Sequence, residues 1–227
     1  MITSAANEKL KLVRKLQAER WREKLGLFVA EGEDLVEAAR SAGVEPVELL
    51  VAGENVEAEL LASVSELPHP PRVVAVYRRA DLPRTTLSLG LALWRVADPG
   101  NVGAIVRTAG AFGACVALSD GCADPTSPRA LRASAGAVFR VPLVRFDDAP
   151  GRRVALVAHG GKPIRSVELG EPLSFVLGAE REGLPAEIVA RCDEVATVPI
   201  SGGVESLNVA AAAAIALYEA VRASSPG

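Results

Sequence analysis

The fold is decided by the stretch Pro199-Ile200-Ser201-Gly202-Gly203-Val204-Glu205-Ser206-Leu207-Asn208-Val209-Ala210, which is followed by a run of alanines. Its pattern predicts a strand end, a glycine loop and an apolar helix that runs to about Arg222. Ser206 is a favoured residue type for a helix N-cap, and the first-turn NH groups of a helix have no partners within it. The sequence therefore predicts a ligand site here, in preference to a plain strand-to-helix connection.

The predicted helix has no charged side chain before Glu219. A helix that is apolar on nearly all faces must be covered on most sides. We therefore expect it to lie in a core or against a second subunit.

Two other segments accompany this loop: Asn101-Val102-Gly103-Ala104-Ile105-Val106-Arg107-Thr108-Ala109 and Leu177-Gly178-Ala179-Glu180-Arg181-Glu182-Gly183. Taken in order, the three segments resemble the three motifs of the SpoU (TrmH-type) RNA 2′-O-ribose methyltransferases, a family of the SPOUT superfamily. Three ordered motifs are more specific than one glycine loop. The stretch Phe28-Val29-Ala30-Glu31-Gly32 is similar to the F-x-x-E-G signature of the family's small RNA-binding domain. Departures are small: Ile200 and Ala210 stand where methionine and serine are common in the family.

Alternating strand and helix patterns predict an α/β protein. Residues 7–24 read as one amphipathic helix, and from Leu87 a second series of strands and helices begins, which predicts a mostly parallel sheet with helices on both faces. The resemblance adds a deep C-terminal trefoil knot around Gly178 and Gly202, and a preceding small α/β RNA-binding domain resembling ribosomal protein L30e. The expected boundaries are residues 1–80 for that domain, 81–87 for a linker and 88–227 for the SPOUT methyltransferase domain.

The resemblance implies S-adenosylmethionine as the methyl donor, without a metal. The implied catalytic residues are Arg107, Asn101, Glu180, Ser206 and Asn208. The residues that match the family's cofactor contacts are Gly178, Val198, Ile200 and Leu207.

Each implied catalytic residue also has a plainer interpretation. Asn101 could serve merely to cap its helix, and Glu180 could simply pair with Arg181 or another surface group. Arg107 lies among apolar residues, where an unpaired charge is costly. A guanidinium hardly ever releases its proton, so the role of Arg107 stays open between phosphate clamp, hydroxyl orienter and base. His159, in a glycine turn after a strand, is interpreted as a loop residue and is not assigned to the site.

The net charge of −3 does not indicate a nucleic-acid binder by itself. Basic residues nevertheless outnumber acidic ones near the start of the chain. Because the methyltransferase motifs follow it in the sequence, this run is interpreted as a phosphate-contacting patch rather than a solvated helix face. The predicted RNA-binding residues are Lys9, Lys11, Arg14, Lys15 and Arg22.

The cysteine and histidine content bears on the cellular compartment and on metal binding. Three cysteines and two histidines, without a C-x-x-C pair, argue against a disulfide framework and a zinc site and fit a reducing cytoplasm. No secretory signal or membrane span is expected. The expected partners are RNA, with ribosomal RNA favoured over transfer RNA, and a second copy of the chain bound through the C-terminal domain.

Two other classes of function match parts of the sequence. A dinucleotide-binding oxidoreductase would also place a strand, a glycine loop and a helix around Asn101, but Gly100 and Gly103 lack the G-x-G-x-x-G spacing and Pro99 occupies the turn. A non-catalytic RNA-binding protein would use only the N-terminal domain, and the intact motifs argue against it.

Overall fold

A computed structural model describes residues 1–67 and 69–224. Its first part contains four helices and three strands: α1 (Glu8–Leu16), α2 (Glu19–Leu25), β1 (Leu27–Glu31), α3 (Glu33–Ser41), β2 (Glu48–Val51), α4 (Ala58–Ala62) and β3 (Val73–Arg78). The single helix expected over residues 7–24 is wrong, because Ala18 has an extended backbone and separates α1 from α2. The strands form an antiparallel sheet in the order β1-β3-β2.

The second part carries the larger sheet. Its elements are β4 (Leu89–Leu93), α5 (Pro99–Phe112), β5 (Cys115–Leu118), α6 (Pro128–Ser134), β6 (Leu143–Arg145), β7 (Arg152–Leu156), β8 (Lys162–Pro163), β9 (Leu173–Leu177), α7 (Ala186–Val189), β10 (Glu194–Thr197) and α8 (Val209–Ser224). Seven strands pair in the order β6-β5-β4-β9-β7-β10-β8, and every pairing is parallel. The predicted α/β fold is therefore confirmed. The strands β6 and β8 were not predicted, because they are too short to produce a hydrophobic pattern.

The order of the strands differs from their order along the chain. The chain builds β4, β5 and β6 towards one edge and then returns to place β7 and β8 on the other side. Strand β9 then enters between β4 and β7, and β10 enters between β7 and β8. The last strands are thus inserted into the sheet rather than added at its edge.

The helix α5 begins and ends at clear signals. Asp98 caps it by accepting a hydrogen bond of 2.9 Å from the backbone NH of Asn101, and Pro99 occupies the first turn. Asn101 is therefore not the cap that its position suggested. Gly103 lies against α6, where an added Cβ would be 2.3 Å from the carbonyl oxygen of Ala130. The glycine of this motif allows the two helices to approach closely.

The two parts share one hydrophobic core. Phe28 and Tyr77 of the small sheet contact Phe139 of the second part, with ring centroids 5.9 and 5.0 Å from it. Burial, together with the charge of Glu45, raises the pKa of Tyr77 to about 12. Gly136 lies so near α3 that an added Cβ would be 2.3 Å from the Cβ of Ala38. The small domain is therefore packed firmly onto the larger one.

A buried ion-pair cluster joins the same two parts. The Nε of Arg22, in α2, donates to Asp124 at 2.6 Å, and Arg79 donates to the other carboxylate oxygen at 2.7 Å. The side chains of Arg22 and Asp124 are only 4% and 3% exposed. The prediction that Arg22 contacts RNA is therefore wrong: its guanidinium is used inside the protein. Within the described ranges, no helix combines the length and apolarity that crossing a membrane requires.

Candidate functional site

A cleft of about 620 Å³ lies where the parallel strands β7, β9 and β10 end. Ligands of open parallel sheets bind at this carboxyl edge, and the volume falls in the range of small-molecule sites. All four residues predicted to bind the cofactor line it: Gly178, Val198, Ile200 and Leu207. Glu180, Ser206 and Asn208 also line it, as does His159, which was not predicted to belong to the site. A lone histidine in a glycine turn carries no sequence signal of a binding site. It lies at the cleft because it follows the end of β7.

The loop after β9 closes tightly on itself. The backbone NH of Gly183 donates to the carbonyl of Ala179 at 2.9 Å. A Cβ added to Gly178 would be 2.1 Å from the carbonyl carbon of Gly183. Only glycine fits at position 178, and the close turn places the backbone of this loop along the wall of the cleft.

Three of the predicted catalytic residues form a hydrogen-bonded chain beside the cleft. The Nδ2 of Asn101 donates to Oε1 of Glu180 at 2.8 Å, and the Nδ2 of Asn208 donates to Oδ1 of Asn101 at 3.0 Å. These side chains come from the three separate motifs. The fold thus brings together polar groups that are up to 107 positions apart along the chain.

Asn208, rather than Ser206, caps the last helix. Its Oδ1 accepts from the backbone NH groups of Ala210 and Ala211 at 2.9 and 3.3 Å. The predicted cap at Ser206 is therefore wrong, and α8 begins at Val209. Since Asn208 uses its oxygen for the helix and its nitrogen for Asn101, its orientation is fixed. Ser206 is exposed and lines the cleft, which leaves its hydroxyl available to a ligand.

Arg107 does not lie in this cleft. It is exposed and lines a second hollow of about 460 Å³, together with Arg140, Ser134 and Ala135. Its position six residues after Asn101 turns it by about 240° and moves it about 9 Å along α5. The argument that its apolar neighbours bury its charge is wrong, because those neighbours face the core while Arg107 faces solvent.

The predicted RNA-binding lysines and arginines differ in their surroundings. Lys9 pairs with Glu48 and Lys11 with Glu8, each at 2.7 Å. Arg14 donates to the backbone of Ala5 and to Ser63. Lys15 lies 5.4 Å from the ring of Trp21. The basic run is therefore not one uniform patch.

No group of three or more histidine, cysteine and acidic side chains near enough to share a metal ion occurs in the part of the chain that the structure describes. Two of the cysteines are unlike reactive thiols, since burial raises the pKa of Cys115 and of Cys192. The polar side chains that line the cleft are those of His159, Glu180, Arg181, Glu182, Glu205, Ser206 and Asn208.

An all-parallel sheet with a glycine-loop cleft at its carboxyl edge and a fixed polar cluster beside it defines an α/β enzyme that uses a bound cofactor. The SpoU rRNA Methylase family model matches residues 88–218, and a model described as the MRM3-like substrate binding domain matches residues 7–78. The chain belongs to the SpoU rRNA methylase family, which confirms the resemblance.

Individual relatives agree over nearly the full length. The 23S rRNA (guanosine(2553)-2′-O)-methyltransferase RlmP of Bacillus subtilis is 34% identical, over 96% of this chain and 97% of its own. An S-adenosylmethionine-bound rRNA methyltransferase structure from Sinorhizobium meliloti matches with a TM-score of 0.86 at 28% identity, covering 99% and 98% of the two chains. The SpoU methyltransferase AviRb of Streptomyces viridochromogenes, also with its cofactor, gives 0.84 at 27% identity over 95% and 97%.

Proposed function

We propose that this protein transfers a methyl group from S-adenosylmethionine to the 2′-hydroxyl of a ribose in RNA. The observation that carries the proposal is the meeting of the three motifs at one cleft, where Asn101, Glu180 and Asn208 are hydrogen-bonded to one another. The family membership and the cofactor-bound relatives support it.

The residues present fit the cofactor. Apolar side chains at Val198, Ile200 and Leu207 can flank an adenine, while the backbone around Gly178 offers the polar contacts that a nucleoside needs. S-adenosylmethionine, when bound, supplies an electrophilic methyl group that needs no metal. The chain's task is to hold the cofactor and the ribose in line and to exclude competing water.

The polar cluster positions the ribose. Glu180 and Asn208 line the cleft and are held by Asn101 between them, so neither has to be ordered when the substrate arrives. Ser206 is the hydroxyl of this set without a partner among the described residues. We propose that Ser206 contacts the reacting 2′-hydroxyl of the ribose, and that the other three side chains orient the ribose.

Arg107 requires a different explanation, because α5 directs it away from the cleft of its own chain. A guanidinium offers several NH donors and no acceptor, which favours a clamp for RNA phosphate or an orienting group over a base. We infer that Arg107 serves the cleft of a second subunit. Such an arrangement makes the active unit a dimer.

The outer face of α8 supports that dimer. Tyr218 is 57% exposed, and Ala211 is also exposed on the same helix. A second copy of the chain bound through the C-terminal domain would cover this face. The insertion of β9 and β10 between earlier strands is consistent with a trefoil knot, which we propose for this domain by family resemblance.

The substrate is proposed to be ribosomal RNA, with transfer RNA as the alternative. The relative from Bacillus subtilis is named for 23S rRNA, and residues 7–78 match a substrate-binding domain. We propose residues 1–80 as the RNA-binding domain, 81–87 as the linker and 88–227 as the methyltransferase domain. Methylation of ribosomal RNA would place the protein in the cytoplasm.

The test is transfer of labelled methyl groups to unmodified ribosomal and transfer RNA, followed by alkaline hydrolysis. Alkaline cleavage needs a free 2′-hydroxyl, so 2′-O-methylation leaves the label in an alkali-resistant dinucleotide. Label in mononucleotides would overturn the assignment in favour of base methylation. The absence of S-adenosylmethionine binding by calorimetry would reject the cofactor and the enzyme together.

A further inference from the structure

Three cations surround one indole ring on the small domain. Lys15 at the end of α1, and Arg20 and Lys24 in α2, lie 5.4, 5.9 and 5.2 Å from the ring centroid of Trp21. All three basic side chains are exposed, and Trp21 is half-buried. We refer to these four residues as the Trp21 cluster.

The cluster differs from the other basic residues of α1 and α2. Lys9 and Lys11 are neutralised by carboxylates, and Arg22 is buried against Asp124. By contrast, Lys15, Arg20 and Lys24 form no ion pair with any residue that the structure describes. Arg14 also has no carboxylate partner, but its guanidinium donates to Ala5 and Ser63. Most of the charge that is available to a ligand in this part of the chain therefore lies around Trp21.

The orientation of the cluster is fixed by its neighbour. Arg22 follows Trp21 directly, and its guanidinium also donates to the carbonyls of Leu16 and Gln17, at 3.0 and 2.7 Å. Through Asp124 the same side chain ties α2 to the methyltransferase domain. A ligand bound at Trp21 would therefore be held in a set position relative to the catalytic cleft.

We propose that the Trp21 cluster is a binding site for single-stranded RNA, in which an unpaired base stacks on the indole while Lys15, Arg20 and Lys24 contact the flanking phosphates. An aromatic ring with adjacent cations is the usual combination for unpaired nucleotides, because every base has a face that can stack. In the free protein the cations lie against the ring, and phosphates draw them outward and leave a face open to the base. This inference rests on the proposed function and names the RNA contact that the basic run alone did not identify.

The first experiment measures fluorescence of the full chain carrying Trp94→Phe, so that Trp21 is the only indole. Titration with a short single-stranded oligoadenylate should quench this emission, because a stacked base contacts the indole directly. A fully paired RNA duplex of the same length should quench it much less. Equal quenching by the duplex, or no quenching at saturation, would overturn the stacking arrangement.

The second experiment separates stacking from charge. Trp21→Ala should weaken oligoadenylate binding about tenfold, whereas Trp21→Phe should retain most of it. Replacing Lys15, Arg20 and Lys24 by glutamine should reduce the slope of log affinity against log salt by about 2, at roughly 0.7 for each phosphate contact. The matched control is Arg40→Gln, which removes an exposed cation already paired with Glu37 and should leave the slope unchanged.

Methyl transfer by the same variants distinguishes this inference from the proposed function. With unmodified ribosomal RNA as substrate, Trp21→Ala should raise KM for RNA about tenfold and leave kcat and S-adenosylmethionine affinity near those of the wild type. If the wild type methylates RNA and Trp21→Ala has an unchanged KM, the cluster is not the contact site. If the wild type transfers no methyl group while oligoadenylate binding still depends on Trp21, the proposed function fails and the binding site stands.

Discussion

Replacing Asp124 by asparagine should destabilise the protein by about 3 kcal/mol, at the lower end of the 3–5 kcal/mol expected when one partner of a buried ion pair is removed. The substitution keeps the size of the side chain but leaves the guanidinium of Arg22, 4% exposed, without a counter-charge. The hydrogen bonds from Arg22 to two backbone carbonyls remain, which is why the lower end applies. For a chain of this length, a loss of about 3 kcal/mol lowers the melting temperature by roughly 6–12 °C.

The assay is urea unfolding followed by circular dichroism, with Glu37→Gln as the matched control. Glu37 pairs with Arg40 on the surface, where an ion pair contributes about 0.5 kcal/mol or less. If Asp124→Asn costs no more than Glu37→Gln, the cluster does not stabilise the domain junction and the reasoning is refuted.

The same pair predicts a pH dependence. Burial raises the pKa of Asp124, but hydrogen bonds from Thr126 and Arg22 and the charge of Arg79 outweigh it, so the pKa lies below its ordinary value. A carboxyl group with a lowered pKa contributes stability that is complete above its unfolded value, about 3.9, and lost as the pH falls through the folded value. The difference in unfolding free energy between wild type and Asp124→Asn should therefore be constant near neutral pH and shrink below about pH 4.

Three further outcomes are expected from the catalytic domain. Gly178→Ala should abolish S-adenosylmethionine binding in calorimetry with the RNA affinity retained, since the new Cβ would overlap the backbone of Gly183; unchanged cofactor affinity would contradict the loop geometry. Arg107→Ala and Ser206→Ala should each be inactive. Dimers reassembled from an equal mixture should regain about a quarter of wild-type turnover, because about half of them are mixed and one of the two sites in each mixed dimer is intact. The absence of recovery would show that Arg107 acts in the cleft of its own subunit. Tyr218→Asp should shift the protein to monomers in sedimentation, and a wild type that is itself monomeric would reject the dimer.

Long regular segments could be predicted from the sequence because the polarity of each residue reflects its own burial. The strand over Leu173–Leu177 is apolar except for Ser174, and the structure buries all five residues. The helix α5 has a proline near its start and a glycine in the left-handed region at its end, which are local signals. Such features need no information from distant parts of the chain.

The wrong predictions concern contacts between residues far apart in the sequence, which no local pattern indicates. Arg22 belongs to a basic run, and its buried counter-charge, Asp124, lies 102 positions further along the chain. Asn208 and Ser206 are both good cap types, and the choice between them depends on Asn101, which fixes the amide of Asn208. The apolar neighbours of Arg107 suggested burial, but a helix turns successive residues to different faces. The meeting of the three motifs could be expected from family resemblance, not from spacing.

The insertion of β9 beside β4 has a consequence for how the chain is made. Leu89 pairs with Leu173, which leaves the ribosome roughly 80 residues later, or about 4–16 s at ordinary synthesis rates. During that interval β4 has an apolar edge without its permanent neighbour, while the whole small domain through Arg78 has already emerged. The early domain can cover part of the nascent core through Phe28 and Tyr77, and the unpaired edge is where a chaperone would be needed. Slowing translation after β6 should therefore increase aggregation of the newly made protein more than slowing it after β9.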